Sequence, residues 1–211
     1  MMVIAIVGGI VDDVLSRIKS VRGDLLGRGV VDVIIYGSVL YSEVFDPGAS
    51  DIDLMLVVND DSYQWSKITF FLEPIYDVLK GFHVDVVAYP VSYIRERLAS
   101  RDAFFMDVIC NGVSVFGSDV VGRLQCTPEI SVDTVISELN FMAIVLGRAM
   151  MNILDCQIQE AANRLYHLAK FALATYLMVL ESRLIVRLDD IAKYSRKHGL
   201  YDYFGIVANL R

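Results

Sequence analysis

Two aspartates flank a single isoleucine at the start of a continuous apolar run: the sequence reads Asp51-Ile52-Asp53, and residues 54–58 are all apolar. Such a run is typical of a buried strand, which rarely accepts charged side chains. Because side chains alternate along a strand, Asp51 and Asp53 are expected to project from the same face. Neighbouring carboxylates repel each other unless a cation lies between them, so the pair predicts a site for Mg²⁺ or Mn²⁺.

A third aspartate lies in a later apolar segment. Residues 83–89 predict a strand, and Asp85 lies near its start. If the two strands are neighbours, Asp85 comes close to Asp51 and Asp53, and three converging carboxylates can hold two divalent ions for an in-line displacement. In that arrangement Asp51 and Asp53 bridge the ions, while Asp85 binds one ion and helps to deprotonate the attacking hydroxyl. The alternative is that the three aspartates are separately solvated at strand ends.

A glycine-serine turn precedes this acidic segment. Residues 30–36 predict a strand that ends at Gly37-Ser38, a short helix is expected to about residue 43, and twelve residues separate Ser38 from Asp51. Backbone N–H groups and a hydroxyl at such a helix start attract phosphate, and glycine lets a ligand approach the backbone closely. Alone, Gly-Ser is an ordinary turn. Its combination with the aspartates favours a site for phosphoryl or nucleotidyl transfer.

The pattern of the chain changes near residue 120. Before it, helical segments (12–26, 63–80, 91–99, 102–110) alternate with strands (30–36, 51–58, 83–89, 113–117). After Pro128 there is no further proline, and helices are predicted over 131–154, 157–186, 188–197 and 201–209. We therefore expect an α/β domain over residues 1–122 and an all-α helical bundle over residues 123–211.

Composition narrows the class of partner. The net charge is −7, which disfavours long nucleic acid because phosphate contacts need clustered Lys and Arg. The apolar run at residues 2–11 has no basic flank and is too short to span a bilayer, so we expect no membrane association. The three cysteines show no paired spacing, which predicts free thiols in the cytoplasm. The 55% apolar content favours a homodimer through the helical domain.

Gly37-Ser38, the twelve-residue interval and Asp51-Ile52-Asp53-Leu54 resemble the signature of the DNA polymerase β-like nucleotidyltransferase superfamily, in particular its minimal and aminoglycoside (kanamycin-type) members. The resemblance covers about residues 30–117. It implies that Gly37 and Ser38 contact the nucleotide phosphates, and that Asp51 and Asp53 bind metal with Asp85. The implied fold is α+β, a small mixed sheet with flanking helices. The all-α domain that follows is similar to HEPN helical bundles.

The resemblance implies a metal-dependent nucleotidyltransferase of the EC 2.7.7 type, which moves a nucleoside monophosphate from an NTP such as ATP to a hydroxyl of a small-molecule or protein acceptor and releases pyrophosphate. Many members carry an arginine soon after the Gly-Ser turn, where this chain has Tyr41. Arg95, Arg97 and Arg101 are candidate substitutes, although solvated surface arginines fit the pattern better. Tyr41 motivates the alternative of a catalytically weak nucleotide-binding or antitoxin-like interaction protein. The acidic charge disfavours a third class, an RNA-acting enzyme.

Overall fold

The computed structural model describes residues 2–40, 51–124 and 129–209. The chain divides into two compact units. The first comprises Met1–Ala99 and Phe104–Thr127, and the second comprises Ser100–Ala103 and Pro128–Arg211. The exact domain boundary at residues 122–123 stays a prediction.

The first unit alternates helices and strands. Its elements are α1 (Met2–Ser20), α2 (Arg22–Gly27), β1 (Val30–Tyr36), a 3₁₀ turn (Gly37–Leu40), β2 (Ile52–Val58), a second 3₁₀ turn (Trp65–Lys67), α3 (Ile68–Val78), β3 (Val84–Pro90), α4 (Val91–Ala99), α5 (Ala103–Asn111), β4 (Val113–Ser114) and α6 (Asp119–Gly122). The second unit contains α7 (Val132–Leu154), α8 (Ile158–Glu181), α9 (Leu188–Lys197) and α10 (Tyr201–Asn209).

The strands form one mixed sheet in the order β3-β2-β1-β4, in which β2 and β3 are parallel and the other pairs are antiparallel. Side chains of β1 and β2 are buried on both faces of the sheet because helices cover both. One face packs Leu54 and Leu56 with residues of α1 and α3. The other packs Met55 and Val57 with residues of α4 and α5. The predicted α+β class, a small mixed sheet with flanking helices followed by a helical region, is confirmed.

Several predicted bounds change. The apolar run at residues 2–11 belongs to α1, and the predicted strand at 113–117 is reduced to Val113–Ser114. The helix after Gly37 is a 3₁₀ turn as far as residue 40; Tyr41, the rest of that predicted helix and the predicted loop at 46–48 lie outside the described residues. Cys110 is disulfide-bonded, so the prediction of free thiols is wrong for this residue. The cysteine argument for a cytoplasmic location is therefore weakened.

A buried aspartate organises the edge of the sheet at β4. Asp32 has no exposed surface, and its carboxylate accepts four hydrogen bonds. The donors are the backbone N–H groups of Val33, Phe116 and Ser118, at 2.8, 2.9 and 3.0 Å, and the hydroxyl of Ser114, at 2.6 Å. A buried carboxylate is tolerated only when its oxygens are satisfied in this way. Asp32 therefore ties β1 to β4 and to the turn that follows β4.

The first helix of the second unit, α7, begins with a reciprocal cap: the N–H of Thr134 donates to Oγ of Ser131, and the N–H of Ser131 donates to Oγ1 of Thr134. In the described part of the chain, α7 is the one helix that is long and apolar enough to cross a membrane, with a mean hydropathy of 1.3 over its most apolar window, of which 28% is buried. Core helices of soluble proteins meet the same criterion, so composition alone does not assign a membrane role.

Glu138 of α7 is a buried acid in this unit. It is 8% exposed, and burial, with a smaller contribution from the Asp102 carboxylate, raises the pKa of its carboxyl group to about 7. The unfolded chain binds this proton less tightly, with a pKa near 4.5. The contribution of Glu138 to stability is therefore full below pH 4.5 and is lost as the pH rises towards 7.

We predict that Glu138→Gln raises the free energy of unfolding by about 3 kcal/mol at pH 8 relative to the parent chain, and leaves it nearly unchanged below pH 4.5. Urea unfolding followed by circular dichroism between pH 4 and 8 measures this difference. Glu160→Gln, at an exposed position of α8, is the matched control. Parallel pH profiles for Glu138→Gln and the parent chain contradict the assignment.

Candidate active site

Strand register places two of the three predicted aspartates side by side. Asp53 of β2 and Asp85 of β3 are direct partners in the parallel pair, and neighbouring strands lie about 4.8 Å apart. Their neighbours Leu54 and Val86 enter the core between the sheet and helices α1 and α3, so Asp53 and Asp85 project from the other face. Asp53 is half-buried and Asp85 is exposed.

The third predicted ligand, Asp51, lies at the start of this strand pair. It directly precedes β2 and is exposed, and the N–H of Ile52 donates to the carbonyl oxygen of His83 at 2.8 Å. Alternation places Asp51 on the same side as Asp53. Within residues 2–40, 51–124 and 129–209, no three His, Cys, Asp or Glu side chains converge closely enough to form a ready metal site. The structure thus brings Asp53 and Asp85 together, and the cluster of all three stays a prediction.

The glycine-serine turn adjoins the Asp53 carboxylate. Tyr36, the last residue of β1, is the antiparallel partner of Asp53, so the chain enters the turn directly beside it. Gly37 has a φ of +76°, and a Cβ atom added there would overlap Oδ2 of Asp53. Only glycine fits this backbone conformation and this space together. Ser38 follows in the same 3₁₀ turn with a half-buried side chain.

This donor set fits a hard divalent cation. Asp53 and Asp85 supply carboxylate oxygens, the ligands that Mg²⁺ and Mn²⁺ prefer, from two strands whose register is fixed by the sheet. The close packing at Gly37 leaves backbone, rather than a side chain, next to the Asp53 carboxylate. The glycine therefore lets the turn lie directly against a carboxylate that could bind a cation.

Tyr36 belongs to this site and was not found by sequence reasoning. It is buried, and its ring meets the edge of Phe104 with centroids 5.6 Å apart. Burial raises the pKa of the Tyr36 hydroxyl well above its ordinary value, and the negative charges of Asp53 and Asp85 raise it further. The phenol therefore stays neutral at physiological pH. Its position immediately before Gly37, in a strand that pairs with Asp53, is the signal that could have identified it.

Two of the candidate arginines interact with groups other than the candidate metal-binding aspartates. Arg95 acts on Asp60, whose carboxyl pKa is lowered chiefly by hydrogen bonds from Ser92 and also by this guanidinium. Asp60 follows the carboxyl end of β2, whereas Asp53 lies near its start. Arg101 belongs to the second unit, where its Nη1 donates to the carbonyl oxygen of Ile130 at 3.4 Å. The charge of Arg95 therefore acts at the other end of β2 from Asp53.

The chain has no significant match among curated proteins or among solved structures. Residues 15–109 match the family model described as a nucleotidyltransferase domain. The matched segment is just under half of the chain, and it contains the Gly37-Ser38 turn and the aspartates at 51, 53 and 85. This match supports the assignment of residues 15–109 to the nucleotidyltransferase superfamily.

Proposed function

We propose that the protein is a metal-dependent nucleotidyltransferase that transfers a nucleoside monophosphate from an NTP, such as ATP, to a hydroxyl of a small-molecule or protein acceptor with release of pyrophosphate. The observation that carries the proposal is the packing of Gly37 against Asp53, which is itself in register with Asp85. The family match to residues 15–109 supports transfer of this general kind. A cytoplasmic location remains part of the proposal.

The residues of the site have two roles in substrate binding: one group binds the phosphates and the other binds the metal. Gly37 presents its backbone to the phosphates, and Ser38 adds a hydroxyl beside it. Asp53 and Asp85, together with Asp51, hold divalent metal, Mg²⁺ or Mn²⁺. When bound, the metal neutralises charge on the triphosphate and on the departing pyrophosphate.

Transfer of the nucleoside monophosphate requires an acceptor oxygen to attack the α-phosphorus of the NTP. The bond from the acceptor oxygen to this phosphorus forms as the bond to the β-phosphate oxygen breaks, and the electron pair leaves with pyrophosphate. The acceptor hydroxyl loses its proton, and the exposed carboxylate of Asp85 is the proposed base. The neutral phenol of Tyr36 adds no charge to the carboxylate pair.

The acceptor class follows from charge. The net charge of −7 repels a polyanion, which supports a small-molecule or protein acceptor rather than long nucleic acid. The second unit contributes a helical region, α7 to α10, for which we keep the HEPN-like assignment as part of the proposal.

Metal-dependent nucleotide binding tests the site. We expect the parent chain to bind Mn²⁺ in the presence of α,β-methylene-ATP, as measured by electron paramagnetic resonance, and Asp53→Asn to weaken that binding by about tenfold or more, because one carboxylate oxygen is replaced by an amide nitrogen. Glu160→Gln, on an exposed surface of the second unit, should bind like the parent chain. If the parent chain binds neither Mn²⁺ nor the analogue, the alternative of an interaction protein without turnover is favoured.

A further inference from the structure

Helix α7 carries an apolar face that is exposed among the residues that the structure describes. Its buried face is formed by Thr134, Glu138, Met142, Val145 and Ala149. A second row of side chains runs along the exposed side, and we call it the α7 stripe: Val132, Ile136, Leu139, Ala143, Leu146, Met150 and Ile153. The six large members are 43–75% exposed. Packing within the second unit therefore uses one face of α7 and leaves the stripe open.

The spacing of the α7 stripe is that of a coiled-coil seam. Its members alternate in steps of four and three residues over about three heptads, and none is polar. A helix that packs in a globular core needs one apolar face, and α7 already has one. A second apolar row with heptad spacing, on a different side of the helix, is the pattern that pairs with another helix.

We propose that the α7 stripe binds the α7 stripe of a second copy of this chain, with the two helices antiparallel. The same surface on both copies makes an isologous two-fold interface, which closes at a dimer. In this alignment Ile136 faces the Ile153 position of the other copy, and Leu139 faces its Met150 position.

The small residue in the stripe favours the antiparallel alignment. In a parallel pair Ala143 would face Ala143, which leaves a gap in the middle of the seam. In the antiparallel pair Ala143 faces Leu146, so a large side chain fills the space opposite each small one.

The surface suffices for a dimer. The exposed parts of the six large side chains and their surroundings amount to roughly 500 Å² per copy, and two copies together bury about 1,000 Å², the lower limit of a specific interface. The stripe contains no charge, so pairing two identical copies brings no like charges into contact along the seam.

A bilayer fits the same helix less well. Glu138 and Arg148 lie within α7, and a charged side chain at membrane depth costs about 3 kcal/mol or more. The buried face is also engaged in polar contacts: Oγ1 of Thr134 donates to the carbonyl oxygen of Arg101 at 2.7 Å, and Oγ of Ser137, beside that face, donates to Asp102 at 3.2 Å. These contacts belong to a packed helical unit.

Sedimentation velocity of the full chain tests the proposal. We expect the mass of two chains for the parent protein at micromolar concentration, and a single chain for Leu139→Glu with Leu146→Glu, because four buried carboxylates would meet in the seam. Ile144→Glu is the matched control, since Ile144 is 54% exposed on the same helix outside the stripe, and it should stay dimeric. Circular dichroism should show that all variants keep the parent helix content.

Cysteine cross-linking tests the alignment in a Cys156→Ser background. Antiparallel pairing places the two copies of position 143 about 5 Å apart along the helix axis and the two copies of position 132 roughly 40 Å apart. Ala143→Cys should therefore form a covalent dimer, and Val132→Cys should not; efficient cross-linking at 132 overturns the antiparallel arrangement.

A monomeric parent chain, or a dimer that the paired glutamates leave intact, overturns the interface. Flotation of the parent chain with phosphatidylcholine and phosphatidylglycerol vesicles, abolished by the same glutamates, would instead assign the stripe to lipid. None of these measurements depends on nucleotidyl transfer.

Discussion

Gly37→Ala is expected to lower the rate of nucleoside monophosphate transfer by about a hundredfold or more, because a Cβ atom at this position displaces the Asp53 carboxylate, and a shift of about 1 Å in a reacting site has an effect of this size. The φ of +76° adds backbone strain of about 1–2 kcal/mol, so some loss of stability is expected as well. The variant should also lose Mn²⁺ binding in the presence of α,β-methylene-ATP. Transfer rates are compared at equal concentrations of folded protein.

A second glycine separates these two effects. Gly29 has a φ of +91°, and a Cβ atom there would overlap the side chain of Ser62, so Gly29→Ala is strained in the same two ways. Gly29 precedes β1, whereas Gly37 follows it, so the two lie at opposite ends of the strand. We expect Gly29→Ala to lose stability and to keep its transfer rate per folded molecule. Equal rates for Gly37→Ala and Gly29→Ala would contradict the role given to the turn.

Asp32→Ala should lower the free energy of unfolding by about 4 kcal/mol, because it leaves four donors around a buried position without an acceptor. The backbone N–H groups of Phe116 and Ser118 would lose their partner, and Ser114 would lose the acceptor of its hydroxyl. Urea unfolding at pH 7 measures the change.

Two further variants test whether the lost hydrogen bonds cause the loss of stability. Asp32→Asn keeps the shape of the side chain, but its amide NH₂ group faces two of the four donors. It should therefore lower the free energy of unfolding by about half as much as Asp32→Ala. Asp61→Ala, at an exposed position, should change stability by less than about 0.5 kcal/mol. If Asp32→Ala unfolds at the same urea concentration as Asp61→Ala, the four hydrogen bonds do not carry the stability assigned to them.

Local sequence pattern was sufficient to predict the strands that carry the site. β1 occupies the predicted residues 30–36. β2 begins one residue later than predicted, and β3 is shifted by one residue at both ends. The agreement is close because continuous runs of β-branched and aliphatic residues leave little choice of structure. The sequence predicted that Asp53 and Asp85 lie close together only if their strands are adjacent. Alternation fixes the face from which a side chain projects, but it does not determine which strands pair. The parallel pairing of β2 with β3 supplies that missing condition.

Other features depend on contacts between distant residues. Asp32 lies in an apolar run like those of Asp53 and Asp85, yet three of its four partners, Ser114, Phe116 and Ser118, are more than eighty residues away in the chain. The need for glycine at position 37 likewise arises from the register of β1 on β2. The α7 stripe could be read from its heptad spacing, but its exposure could not, because two apolar faces of one helix look alike until one is buried.

Transfer of label from ATP is the most direct test of the proposed activity. The parent chain is incubated with Mn²⁺, an acceptor mixture of aminoglycosides and cell-extract proteins, and ATP labelled at either the α- or the γ-phosphate. We predict that α-label appears on an acceptor and γ-label appears in pyrophosphate, and that Asp53→Asn and Asp85→Asn abolish both. Transfer of γ-label to the acceptor, or equal transfer by Asp53→Asn and the parent chain, would contradict nucleotidyl transfer at this site.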